Sequence, residues 1–155
     1  MKITDNFTLE EFTNSFTATR KGFKEQFNPN AEIIYNLRIA SMNTLEIIRE
    51  KFGGFSPTSA YRCERLNKAV NGSSRSFHCF GMAFDINLKE RNKALFKFIY
   101  ENLHFSELIY EYGNDNNPDW VHVAYDQNNL TNVVKRVTKK GTFVLTKEQI
   151  QALIN

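Results

Sequence analysis

The chain has 155 residues, 41% of them hydrophobic and 24% charged, an ordinary globular balance for one compact domain. Its 14 Phe residues supply enough apolar area for a core without disulfide staples. A net charge of +3 is too weak to argue for nucleic acid, which needs clustered Lys and Arg, though it is compatible with an anionic polymer.

In chain order, Met1 to Asp5 has no apolar signal core, so the expectation is synthesis in the cytoplasm without a secretory peptide. Thr8-Leu9-Glu10-Glu11 is a capping box that opens a short helix, with Phe12 as its apolar contact. Asn28-Pro29 reads as an N-cap followed by proline at the first helical position. Ile34, Leu37, Ser41, Leu45, Ile48 and Phe52 then recur at three- and four-residue steps, one face of a long amphipathic helix that Gly53-Gly54 ends.

Phe55 to Ala60 reads as a short strand, made irregular by Pro57. Cys63 to Val70 reads as a short helix and Asn71 to Phe77 as a polar loop. Met82 to Leu88 reads as a strand, and Glu90 to Asn102 as a helix with Leu95, Phe98 and Ile99 inward. Glu107 to Tyr112 and Trp120 to Tyr125 are strands joined by a run dense in turn formers, Gly113 to Pro118. Val133 to Val137 and Thr142 to Leu145 form a hairpin around Lys139-Lys140-Gly141, and Thr146 caps a last helix. The expected fold class is α+β, a small antiparallel sheet flanked by helices. With no repeat and no Gly/Ser linker, residues 1–155 read as a single domain with no attached binding module.

The segments that carry chemistry are Ser76 to Asp85 and Pro118 to Val123. A catalytic zinc site takes three protein ligands, imidazole nitrogen or carboxylate oxygen, and keeps a fourth position open. His78, Asp85 and His122 supply two imidazoles and one carboxylate. The gap from His78 to Asp85 lets a loop turn through Gly81 and run onto a strand, so both side chains can converge. His122 alternates with Trp120 and Ala124 on one strand face, where a polar ring needs a partner or a metal. On spacing alone a hydrogen-bonded core histidine and a ligand both remain open. Cys79 points away from its neighbour His78 on an extended segment and is read as structural; Cys63 and Cys79 are read as free thiols. His104 is read as a surface residue. Lys135-Arg136 and Lys139-Lys140 read as a solvated basic hairpin.

Ser76-x-His78-x-x-Gly81-x-Ala83-x-Asp85 followed by Trp120-x-His122 resembles the zinc D-alanyl-D-alanine carboxypeptidases. It is equally similar to the vancomycin-resistance dipeptidases and the phage L-alanyl-D-glutamate endopeptidases that share their fold. Ser59-Ala60-Tyr61-Arg62 and Leu66-Asn67 resemble that family's Ser-Gly-Tyr-Arg and Leu-Asn signature, with Ala60 in place of Gly. Phe7 to Phe12, Thr17 to Arg20 and Glu107 to Glu111 look like its smaller phage- and prophage-type branch. The resemblance implies a Hedgehog/DD-peptidase-like fold, one zinc ion on His78, Asp85 and His122, and hydrolysis of a peptidoglycan stem or cross-link peptide involving D-amino acids. Arg62 then matches an oxyanion-stabilising arginine, and Ser76 and Tyr61 match substrate-binding positions. Asp119 occupies the general-base position three residues before the last His, one methylene shorter than the usual Glu, with Glu111 as the substitute base. The expected partner is a peptidoglycan peptide, with no nucleic acid, no membrane insertion and a monomeric chain. The expected place of action is the cell wall, reached after release or on a phage particle. The alternative is a non-catalytic zinc-binding structural or virion-associated domain of the same fold. Carboxypeptidase and endopeptidase cuts both stay open.

Overall fold

A computed structural model describes all residues, 1–155. Seven helices precede, interrupt and follow five strands: α1 (Leu9–Thr13), α2 (Phe16–Lys21), α3 (Ala31–Asn43), α4 (Leu45–Phe52), α5 (Glu64–Ala69), β1 (Ala83–Ile86), α6 (Asn92–Asn102), β2 (Glu107–Glu111), β3 (Trp120–Ala124), β4 (Val133–Thr138), β5 (Gly141–Val144) and α7 (Lys147–Ile154). The class is α+β, as expected. No helix is long and apolar enough to cross a membrane.

The capping boxes at Thr8 and Thr146 are both formed, each threonine hydroxyl accepting the N–H three residues on. The Asn28-Pro29 start is corrected: Asn30 is the N-cap of α3, its side chain accepting the Ile33 N–H, and Pro29 lies outside the helix. The single long helix is corrected too. It breaks at Thr44 (φ −134°, ψ −72°) into α3 and α4. Ser41 and Thr44 turn their hydroxyls back onto the Leu37 and Ala40 carbonyls, and such back-bonding bends helices. The expected strand from Phe55 to Ala60 is reduced to one bridge, Ser59 to Asp85. Residues 16–21, unassigned from sequence, form α2.

The sheet order is β1-β3-β2-β4-β5. Three pairings are antiparallel; β2 and β4 run parallel, which the sequence reading did not expect. One sheet face presents Phe84, Ile86, Val121, Val123, Leu108, Tyr110 and Val134 to the hydrophobic core. Leu37, Ala40, Leu45 and Ile48 from α3–α4, Leu95, Phe96 and Ile99 from α6, and Ile150, Leu153 and Ile154 from α7 fill the same cluster. Burial of this apolar surface is the main force holding the sheet against its helices. The other face is left free for the site.

Candidate metal centre

Register builds the site. Across the free face, Asp85 on β1 pairs with His122 on β3, His122 with Ile109 on β2, and Ile109 with Lys135 on β4. Side chains two apart on a strand share a face, so Glu107 and Glu111 flank Ile109 on this same surface. His78 arrives from outside the sheet, on a 3-10 turn at Phe77–Phe80. Gly81 closes that turn at φ +69°, and a Cβ there would lie 2.8 Å from the Ile33 carbonyl oxygen. The position therefore requires glycine twice over, for its conformation and for its clearance.

His78, Asp85 and His122 converge, with one ligand atom from each lying within 4.8 Å of the others. His78 Nε2 is 3.2 Å from Asp85 Oδ1, and His122 Nδ1 is 3.0 Å from the same oxygen. The far nitrogen of each ring faces outward. His78 Nδ1 donates to the Ala60 carbonyl at 2.6 Å. His122 Nε2 lies 3.1 Å from Glu107 Oε1, close but off the line of a good hydrogen bond. Holding the proton on the outer nitrogen leaves the inner lone pair free for a metal. Two imidazoles and a carboxylate, with an open side, are the donor set of a catalytic zinc site. The residues present therefore fit the ion.

Two further contacts complete the charge arrangement. Arg62 donates to Asp85 Oδ2 at 2.7 Å and to Ser59 Oγ at 2.9 Å. Lys135 pairs with the second oxygen of Glu107. Burial alone would raise the Asp85 pKa, but the charge and hydrogen bonds of His78 and His122 outweigh it and hold the carboxyl well below the usual range. Burial would lower His122, yet the adjacent Asp85 and Glu107 carboxylates push it up to about 9 when no metal is bound. His78 is lowered, chiefly by burial. Glu107 is drawn down to about 2, the neighbouring His122 ring and the Lys135 ammonium overcoming its burial. Glu111 goes the other way, to about 7, because burial dominates and the Asp85 and Glu107 charges add to it.

The ligand set lies in a cavity of about 770 Å³ whose walls include Arg62, Ser76, Glu107, Glu111, Trp120 and Lys135. Ser76 lines it and caps the His78 turn, its hydroxyl accepting the His78 N–H at 3.3 Å. Tyr61 lies instead in a neighbouring groove with Phe16. Asp119, placed first as base from sequence, is exposed and absent from the cavity wall; Glu111 is half-buried and lines it. The physical reason is parity. Trp120 and His122 face the cavity, so a residue three before His122 lies on the other parity of the strand. Cys79 is half-buried, Cys63 is buried, and neither joins the metal set or a disulfide.

Three supporting residues escaped the sequence reading. Gln26, fully buried, donates to the Thr13 and Tyr61 carbonyls and accepts the Cys63 N–H, pinning the segment that carries Arg62. Asn92 donates to the Pro118 and Asp119 carbonyls and fixes the entry to β3. Glu107 is the third. Its signal was present: it alternates with the core residues Leu108 and Tyr110, which places it and Glu111 together on the free face.

Residues 5–124 match the sequence model of a family described as Peptidase M15. No curated protein matches the chain.

Proposed function

Because the chain belongs to the M15 family of zinc metallopeptidases, we propose that it hydrolyses a peptide bond in the stem or cross-link peptides of peptidoglycan, at a D-amino acid. The observation that carries this reading is the convergence of His78, Asp85 and His122 on one point in a cavity that also exposes an uncommitted carboxylate, Glu111.

Zinc held by these three residues would supply a Lewis acid that polarises the scissile carbonyl and makes water a better nucleophile near neutral pH. Glu111 is the general base in this proposal. It lines the cavity, has no hydrogen-bonded cation, and its pKa near neutrality suits proton exchange. It takes the proton of the attacking water and returns it to the leaving amine. Arg62 fastens Asp85 through Oδ2 and, lining the same cavity, brings positive charge to the developing oxyanion. Ser76 and Trp120 line the substrate's path. No covalent intermediate is required.

Digesting purified peptidoglycan with the protein, with zinc and with a chelator, tests the reading. The expected result is zinc-dependent release of new amines, and fragment masses then distinguish a carboxypeptidase cut from an endopeptidase cut. Intact peptidoglycan after incubation with the zinc-loaded protein would overturn it.

A further inference from the structure

Glu107 and Glu111 sit on one strand, two residues either side of Ile109. Parallel pairing of β2 with β4 sets Lys135 opposite Ile109, between the two glutamates on the shared face. The lysine could serve either. It pairs with Glu107 and not with Glu111. That choice gives the two carboxylates different work.

We propose that Lys135 is a positioning residue for the metal centre: it ties down Glu107, and Glu107 fixes the proton of His122 on Nε2 so that Nδ1 faces the ion. The contacts follow one another with a single loose joint, the Glu107–His122 pair, whose 3.1 Å separation lies off the line of a good hydrogen bond. Lys135 holds one oxygen of Glu107, the other oxygen stands 3.1 Å from His122 Nε2, and His122 Nδ1 stands 3.0 Å from Asp85 Oδ1. Glu107 and His122 are largely shut off from solvent, with side-chain exposures of 16% and 8%, so water is a poor substitute partner for either. The other imidazole needs no such device, since a backbone carbonyl, that of Ala60, holds His78 Nδ1. His122 depends on a flexible carboxylate side chain, and a flexible side chain needs an anchor of its own. A lysine bound to Glu111 would neutralise the proposed base. Bound to Glu107, it leaves Glu111 free and draws Glu107 to the imidazole.

The test uses the full chain and zinc alone. Lys135→Met, Lys135→Arg and Glu107→Ala are compared with the unsubstituted protein for zinc affinity, by competition with a chromophoric chelator. The ring N–H of His122 is followed by proton NMR of the zinc-loaded form. Outer partners of metal-bound histidine are typically worth 10–100-fold in affinity. Lys135→Met is expected to weaken zinc binding about tenfold and Glu107→Ala by up to about a hundredfold. Both should broaden or abolish the slowly exchanging His122 N–H signal, and Lys135→Arg should keep both properties near the original. Lys135 is half-buried, so its replacement disturbs the fold less than Glu107→Ala, and its variants keep the test open should Glu107→Ala fail to fold. Unchanged affinity in Lys135→Met overturns the proposal. So does weakened affinity with the ring proton intact, which would mean that the lysine acts through charge alone. Neither readout involves peptide hydrolysis, so a protein that binds zinc as described but leaves peptidoglycan intact refutes the proposed function and not this inference.

Discussion

Two glutamates on one strand, both partly buried and both facing the metal cavity, differ in what they touch. Glu107 meets His122 and Lys135; Glu111 meets no cation within bonding distance. Environments that push two carboxyls apart mark out their roles. Glu111→Gln keeps the shape and removes the proton acceptor, so peptide hydrolysis should fall about 10²–10⁴-fold while zinc affinity holds. Asp119→Asn should leave the rate near its original value, and equal losses in the two variants would return Asp119 to the role. Glu111 must be ionised to accept a proton. Its pKa is about 7 by burial, and a nearby dication lowers it, so kcat/KM should fall as pH drops through a value at or below 7. A rise in kcat/KM on that same descent would contradict the assignment. The ligands were legible in the sequence because their chemistry is written in residue type: two imidazoles and a carboxylate in a familiar order. The choice between the two candidate bases, Asp119 and Glu111, was not, since it depends on which strand face a side chain occupies. Asp119 is near His122 in sequence but off its parity, whereas Glu111 is far in sequence and on the facing surface.

At the scale of elements, local chemistry was readable and distant pairing was not. Thr8 and Thr146 cap their helices because the hydroxyl and the N–H it accepts are three residues apart, a relation the sequence displays. The break at Thr44 follows from hydroxyls that also carry a helical period and fit the apolar stripe. Parallel pairing of β2 with β4 requires a crossover through β3, and nothing in either strand's own pattern encodes it. Yet this pairing is what brings Lys135 to Glu107. Gly81 joins the two kinds of information, a residue readable as a turn whose necessity is tertiary. Any side chain there meets both a left-handed backbone and the Ile33 carbonyl at 2.8 Å. Gly81→Ala should therefore cost about 1–3 kcal/mol in chemical unfolding. It should also weaken zinc binding, because the displaced turn carries His78. A midpoint and zinc affinity equal to the original would show that the turn relaxes around the methyl group.

Over the whole molecule, the metal centre gathers side chains from residues 62, 78, 85, 107, 122 and 135, so none of it exists until the chain has folded. Binding free energy at such a site adds to folding free energy, and chelation should lower the thermal midpoint. The pH dependence of that loss can be worked out from His122. In the metal-free protein its pKa is raised from 6.5 to about 9, so it carries a proton near neutrality, held between Asp85 and Glu107. A histidine with a raised folded-state pKa adds stability that is fully present below its unfolded value and lost as pH rises through the folded value. The metal-free protein should accordingly become less stable between pH 6.5 and about 9. The zinc-bound protein should not, because its imidazole is already neutral and the ion supplies the positive charge. Zinc binding near neutral pH must then expel a proton from His122, and above about pH 9 there is none left to expel. Titration calorimetry in buffers of different ionisation enthalpy measures this directly. The expected slope corresponds to nearly one proton released near neutrality from this residue and to much less above the histidine's pKa. A release that stays constant across that range would show that His122 is neutral before the metal arrives, and that Asp85 and Glu107 do not share a charged ring in the metal-free fold.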